Sequence, residues 1–180
     1  MELWDVMDAD GRLTGRTMQR GSAFGDGEYH LVVHILPLDR QGRVLIQRRA
    51  ETKAQLPGRW YMTAGSAVAG EESLAAARRE CREELGIAVP EQEMHFLARV
   101  KNWHSFADLY WFCCDVPAGE MQIQKEELSE VKFVTLEEFE ATIFIPEYEY
   151  FFGADYRKEV RRLLTAWQDA LARGELTPRL

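Results

Sequence analysis

The sequence has few cysteines, and their arrangement excludes a disulfide framework. Only three of its 180 residues are cysteine: Cys81, Cys113 and Cys114. Because adjacent strand residues point to opposite faces of a sheet, the neighbours Cys113 and Cys114 form a poor disulfide pair. No CxxC metal pattern is present either. The low cysteine content predicts a reducing, cytoplasmic location.

Long apolar runs and basic blocks are also missing. No run reaches the roughly 18 apolar residues of a membrane span, and the N-terminus has no basic region followed by an apolar stretch. The formal net charge is −8, without a block of Lys and Arg that would form a nucleic-acid arm. We therefore expect no membrane and no nucleic-acid polymer as a partner. A small phosphorylated substrate stays compatible with this charge, because a metal ion held by carboxylates can reverse the local sign.

The length and the apolar pattern predict the organisation of the chain. With 46% hydrophobic residues, the chain suffices for one well-packed domain, which we place at residues 1–180. A hairpin is predicted for residues 1–20, because Asp10 and Gly11 separate two short strand-like runs. Apolar runs predict further strands at residues 30–38, 44–47, 96–101, 109–116 and 131–134. Helical periodicity predicts helices at residues 72–85, 136–142 and about 155–172. Because strands and helices interleave, the predicted fold class is α/β, with a mixed sheet between helices.

The helix predicted for residues 72–85 carries the candidate chemistry. Its apolar face, which includes Cys81, is predicted to lie opposite the three carboxylates of Glu80, Glu83 and Glu84. Residues three and four apart share one side of a helix, so these carboxylates can converge. Hard divalent cations prefer such oxygen ligands. The simpler interpretation is a solvated charged face whose repulsion is offset by neighbouring arginines.

The segment before this helix completes a known pattern. Residues 65–87 match the box GX5EX7REUXEEXGU, in which U is a bulky apolar residue, at every fixed position. The chain therefore resembles the Nudix family. Flanking segments at residues 47–49, 57–60 and 130–138 are also similar to the family, so that the resemblance covers residues 30–139.

This resemblance implies an α/β/α sandwich that hydrolyses a diphosphate bond in a nucleoside-diphosphate-type or other small organic substrate. The cofactor that it implies is Mg²⁺ or Mn²⁺. It further implies that Glu80, Glu83 and Glu84 are catalytic metal ligands, and that Gly65 offers its backbone carbonyl to the metal. A metal ion in such a site neutralises the diphosphate and lowers the pKa of a bound water.

The remaining positions of the box are expected to support the site, and two residues differ from those usual in the family. The resemblance implies that Glu71 and the catalytic-site residue Arg79 orient the loop and the ligands, and Gly86 supplies the stop of the helix. Cys81 stands where Leu, Val or Ile is usual, and as a small hydrophobe it keeps the packing. Ser66 replaces a second glycine of many members, which the backbone accepts unless it needs a positive φ.

Substrate-binding candidates outside the box are Arg48, Arg49, His30 and Trp103. The two arginines could meet phosphate or be solvated, and Trp103 could stack on a ring of the substrate or pack against the protein. His30 and His34 share a strand face but lie about 13 Å apart at ~3.3 Å per residue, so they cannot share one metal. His34 is predicted to be a core residue, and the role of His30 stays open.

A catalytic base outside the box is predicted from the acidic segment before the last strand. Nudix enzymes often use a further carboxylate from a loop beyond the helix, and Glu126 and Glu127 stand at a suitable place. We select Glu127 as the catalytic candidate. The alternative is that both are solvated loop residues.

Two other functions are kept as alternatives. The flanks also resemble isopentenyl diphosphate isomerase, a Nudix-fold enzyme that needs a Cys just before the box glycine, a His just after it and a later Glu pair. Here these positions hold Ala64, Ser66 and a single Asp108. The branch is thus similar to the isomerase but lacks its catalytic Cys. The second alternative is a catalytically silent Nudix-fold binding module. Whichever function applies, a homodimer stays possible.

Overall fold

The computed structural model describes residues 2–149, 151–178 and 180. Within these residues the chain forms nine strands and three α-helices. The strands are β1 (Leu3–Met7), β2 (Leu13–Gln19), β3 (His30–Leu38), β4 (Val44–Arg49), β5 (Trp60–Tyr61), β6 (Thr63–Ser66), β7 (His95–Lys101), β8 (Ser105–Cys113) and β9 (Leu128–Val134). The helices are α1 (Ser73–Leu85), α2 (Leu136–Ile143) and α3 (Ala154–Ala172). No helix in this part of the chain combines the length and the apolar character needed to cross a membrane.

The main sheet is mixed. Its strand order is β5-β4-β3-β8-β7, with β6 paired to β3 and β9 paired to β4. The β3–β8 pair is parallel, and the other pairs are antiparallel. The predicted mixed sheet is confirmed.

Helices cover both faces of this sheet. On β3, Val33 and Ile35 point to the face on which α1 packs, in a core that also contains Cys81. Leu36 and Leu38 point to the other face, where they pack with residues of α2 and α3. This alternation follows from the period of two along a strand. The predicted α/β/α sandwich is confirmed.

The ends of α1 and α2 follow the predicted signals. Gly86 ends α1 with a φ of 71°, and its N–H donates to the Arg82 carbonyl while the N–H of Ile87 donates to that of Cys81. This left-handed conformation is the reason for a glycine at the end of the helix. Thr135 caps α2 by accepting a hydrogen bond from the Glu138 N–H, as its position before the predicted helix indicates.

The N-terminal hairpin packs outside the main sheet. Strands β1 and β2 pair antiparallel, and Trp4 and Val6 of β1 are buried. The loop before α1 is tied to this hairpin, because the Ala69 N–H donates to the Leu3 carbonyl and the Gly70 N–H donates to the Asp5 carboxylate. The predicted hairpin and domain begin at Met1, which lies outside the described residues.

Some strand predictions need correction. Strands β5 and β6 were not predicted, because β5 has only two residues and Thr63–Ser66 is not an apolar run. Pairing of β5 with β4 and of β6 with β3 makes them strands. The prediction of β8 at 109–116 is shifted, since the strand starts at Ser105 and ends at Cys113. Asp108 interrupted the apolar pattern, but it is buried inside the strand, where its carboxylate accepts hydrogen bonds from Nε and Nη2 of Arg99.

Candidate active site

A polar cavity of about 200 Å³ lies where α1, β4, β6 and the hairpin meet. Acidic and basic side chains share its wall. The acidic ones are Glu2, Glu80, Glu83, Glu84 and Glu127, and the basic ones are Arg20, Arg49, Lys53 and Arg79. Gly65 and its two neighbours, Ala64 and Ser66, complete the floor together with Gln124. All four residues predicted as metal ligands therefore line one cavity.

Gly65 allows the box helix to approach strand β6 closely. A Cβ atom at this position would overlap the carboxylate of Glu80. The glycine is thus needed for the space that it leaves, not for a positive φ, since its φ is not in the left-handed region. Ser66 does not have a positive φ either, so the departure from a second glycine is accepted.

Arg79 is the internal counter-ion of the acidic cluster. Its guanidinium donates to Glu71 at 2.8 and 2.9 Å, to Glu80 at 2.6 Å and to Glu83 at 3.0 Å. It also donates to the Ser66 carbonyl at 3.1 Å, which fixes the floor of the cavity. The pairing with Glu71 raises the pKa of Arg79, so the guanidinium stays charged. Arg79 thus connects Glu71 with two of the box carboxylates, and the orienting roles of Glu71 and Arg79 stay a prediction.

Glu84 is the buried carboxylate of the site. The prediction that it lies opposite the apolar face of α1 is wrong, because only 5% of it is exposed and it shares the sheet-facing side with Ala77 and Cys81. Positions 77, 81 and 84 follow each other at helical spacings of four and three. Burial raises the pKa of Glu84 to about 8, against the hydrogen bond that it accepts from Gln47. Burial also raises the pKa of Glu80.

The segment before β9 brings Glu127 into the cavity. The Ala50 N–H donates to the Glu127 carbonyl at 2.8 Å, and the Gln124 N–H donates to the carbonyl of Glu84 at 3.1 Å. Lys53 forms an ion pair with the Glu127 carboxylate. Glu126 is exposed and is not part of the cavity wall. Of the two acidic candidates outside the box, Glu127 is therefore the one placed beside the box carboxylates.

The donors of this cavity fit a hard divalent cation. Carboxylate oxygens and a backbone carbonyl are the ligands that Mg²⁺ and Mn²⁺ prefer. The close approach of Glu80 to Gly65 brings two such donors together. Among the described residues, no three His, Cys, Asp or Glu side chains already stand close enough to hold an ion. Glu80 and Glu83 instead contact the charged guanidinium of Arg79.

Only one of the four substrate-binding candidates lines the cavity. Arg49 does so, whereas Arg48 points to the opposite face of β4 and donates to the Gly58 carbonyl at 2.9 Å. His30 is buried and stacks on Trp4 with 4.2 Å between ring centroids. Trp103 is 64% exposed in the turn between β7 and β8. The structure therefore separates Arg48, His30 and Trp103 from the acidic cluster.

Several residues of the site were not predicted from the sequence, among them Gln47, Lys53 and Arg20. Gln47 donates to Glu84 from β4. The available signal was a polar residue directly after the apolar residues of this strand. Lys53 and Arg20 reach the cavity from a loop and from the hairpin. No sequence spacing connects either of them to the box, because tertiary packing brings them there.

Known proteins are similar to this chain in sequence and in fold. Residues 28–154 match the family described as NUDIX domain. An uncharacterized Nudix hydrolase of Listeria monocytogenes is 41% identical over a match of 161 residues, and the match covers 84% of this chain and 91% of that protein. The crystal structure of DR0079 from Deinococcus radiodurans gives a TM-score of 0.71 at 23% identity, over 89% of this chain and 98% of that chain. The NUDIX domain of Shewanella oneidensis NrtR, in complex with ADP-ribose, gives a TM-score of 0.59 at 18% identity, over 81% of this chain and 94% of that chain. Both structures are similar in fold.

Proposed function

The chain belongs to the Nudix hydrolase family, and from this premise we propose that it cleaves the diphosphate bond of a nucleoside-diphosphate-type or other small organic substrate with Mg²⁺ or Mn²⁺. The observation that carries the proposal is one cavity shared by the three box glutamates, Gly65 and Glu127. A cluster of carboxylates that includes one buried side chain costs stability unless a cation neutralises it. Hydrolases of this family generally need divalent metal ions, and this site offers the donors for one.

The chain's own residues have distinct roles in this proposal. Glu80, Glu83 and Glu84 would hold the metal, which when bound neutralises the diphosphate and activates a water. Glu127 would accept the proton of the attacking water as the bond between phosphorus and the bridging oxygen breaks. Arg49, on the same wall, would contact phosphate oxygens, since a guanidinium binds them with two parallel hydrogen bonds.

The branch within the family is a further part of the proposal. We infer that the chain lies near the isopentenyl diphosphate isomerase branch without sharing its reaction. Ala64 and Ser66 line the cavity on either side of Gly65, where that isomerase needs a thiol and an imidazole. Cys81 does not replace the thiol, because it is fully buried in the core between α1 and the sheet. Proton transfer to carbon thus lacks its donor, and hydrolysis is favoured.

A substrate panel with Mg²⁺ and with Mn²⁺ tests the proposal. It contains a nucleoside triphosphate, a nucleotide sugar, a dinucleoside polyphosphate and isopentenyl diphosphate. ADP-ribose is added, because the NUDIX domain of Shewanella NrtR was crystallised with it. We expect metal-dependent cleavage of at least one diphosphate, with ¹⁸O from labelled water in a phosphate-containing product. Isomerisation without cleavage would support the isomerase alternative. Absence of turnover together with absence of metal binding in calorimetry would support the silent binding module.

A further inference from the structure

Gln47 is a polar residue at a position that the fold alone would fill with an apolar one. It is 1% exposed in the middle of the main sheet and directly follows the buried residues Leu45 and Ile46. A buried amide costs free energy unless its donor and acceptor groups are hydrogen-bonded. Both ends of the Gln47 amide have such partners, Thr63 and Glu84.

These two hydrogen bonds have a defined direction. The Thr63 hydroxyl donates to Oε1 of Gln47 at 2.9 Å, so the amide oxygen is directed toward β6. The amide nitrogen Nε2 is then directed toward α1, where it donates to Oε2 of Glu84 at 2.9 Å. Among the described residues, Oε1 of Glu84 accepts no hydrogen bond from a side chain. One oxygen of Glu84 is thus tied to the sheet, and the other is left for the cavity.

We propose that Gln47 is a positioning residue for Glu84, and that Thr63 fixes the direction of its amide. The inference rests on the proposed function, in which Glu84 holds a divalent cation. Residues that hydrogen-bond a metal ligand fix its orientation, and their loss lowers metal affinity or activity by about 10- to 100-fold. The relay spans three elements, since Thr63 lies on β6, Gln47 on β4 and Glu84 on α1.

The test compares Gln47→Met with the parent protein. Methionine fills a similar volume without a donor, so the Glu84 carboxylate loses its fixed orientation. Binding of Mn²⁺ alone is measured by the electron paramagnetic resonance of free Mn²⁺, and by calorimetry. We expect the Mn²⁺ affinity to fall about tenfold or more. With the substrate selected by the panel, kcat should fall while KM stays near the parent value.

Ile46→Val is the matched control for a structural effect. This residue precedes Gln47, is equally buried and points to the other face of β4, toward α2 and α3. We expect a lower unfolding midpoint with parental Mn²⁺ affinity. A fall of Mn²⁺ affinity in Ile46→Val as large as in Gln47→Met would contradict the proposal, because general loosening of the strand would then explain both.

Thr63→Val tests the connection from Thr63 through Gln47 to Glu84 without changing Gln47. This variant also provides the test if Gln47→Met does not fold. The variant removes one hydroxyl at constant shape, and the loss of one neutral hydrogen bond should lower Mn²⁺ affinity about two- to tenfold. In the double variant with Gln47→Met, the Thr63→Val change should add little, because its effect acts through the amide. Parental Mn²⁺ affinity in both single variants would overturn the inference while leaving the proposed function intact. Absence of Mn²⁺ binding in the parent itself would instead overturn the proposed function.

Discussion

The buried side chain of His34 should make the stability of the protein depend on pH. It lies on β3, is 6% exposed, and its Nδ1 atom is 2.7 Å from the hydroxyl of Tyr156. The rings of Tyr61, Phe152 and Tyr156 surround it, with centroid distances of 5.3 to 6.1 Å. Burial lowers the pKa of His34 to about 4, and no neighbouring charge contributes to this change. The folded protein therefore holds this imidazole neutral.

The sign and size of the effect follow from proton linkage. The unfolded chain has the ordinary histidine pKa of 6.5, so below this pH it binds a proton that the folded chain does not bind. The free energy of unfolding is therefore unaffected above the pKa that His34 has in the unfolded chain. It decreases as the pH falls toward the pKa that His34 has in the folded chain. A full pH unit inside this window costs up to about 1.4 kcal/mol. From about pH 7 to about pH 5, His34 should lower the free energy of unfolding by about 2 kcal/mol.

Urea unfolding followed by tryptophan fluorescence measures this loss between about pH 5 and about pH 8. His34→Gln keeps a polar partner for Tyr156 and does not titrate, so its stability should fall about 2 kcal/mol less than that of the parent. Other titrating groups are common to both proteins and cancel in the difference. His95→Gln, the same change on an exposed residue, should follow the parent. Parallel pH curves for the parent and His34→Gln would show that the His34 imidazole does not cause the loss of stability.

Three further predictions concern the helix of the site and the base. Glu84→Gln removes one carboxylate charge at nearly constant volume, so kcat should fall by about 10²-fold or more while the protein stays folded. An unchanged kcat would exclude Glu84 from the chemistry. Glu127→Gln should lower kcat or move the acidic limb of the pH–rate profile, with exposed Glu126→Gln as its matched control. If neither variant changes the profile, Glu80 becomes the candidate base. Cys81→Ala should keep substantial activity and cost about 1 kcal/mol in urea unfolding, whereas inactivation at unchanged stability would indicate thiol chemistry.

Local signals explain why so much of the box could be predicted. The helix predicted at residues 72–85 forms at Ser73–Leu85, because its apolar period and the glycine after it are encoded within one segment. Its carboxylates reach one cavity because fixed offsets on a single helix determine their directions. The burial of Glu84 was not predicted. Helical periodicity gives the direction of the buried face of a helix, but not how much of the helix surface the sheet buries.

Residues outside the box depend on tertiary packing. The period of a strand predicts that Arg48 and Arg49 point to opposite faces, but it does not say which of them faces α1. The structure puts Arg49 on that face. Lys53 and Arg20 belong to segments whose positions are set by long-range contacts, so their place in the cavity could not be derived from spacing.

The segments outside residues 28–154 are part of the hydrophobic core, although the family match does not include them. On α3, Val160, Leu163 and Leu164 are almost completely buried, and Trp167 donates to the Asp39 carbonyl at 2.8 Å. Exposing the three aliphatic side chains would cost roughly 5 to 9 kcal/mol, which is comparable with the net stability of a whole domain, about 5 to 15 kcal/mol. A polypeptide trimmed to the limits of the family match would also lose Arg20 and the hairpin wall of the cavity. The stretch by which this chain is recognised as a family member is therefore shorter than the stretch that we expect it to need for folding.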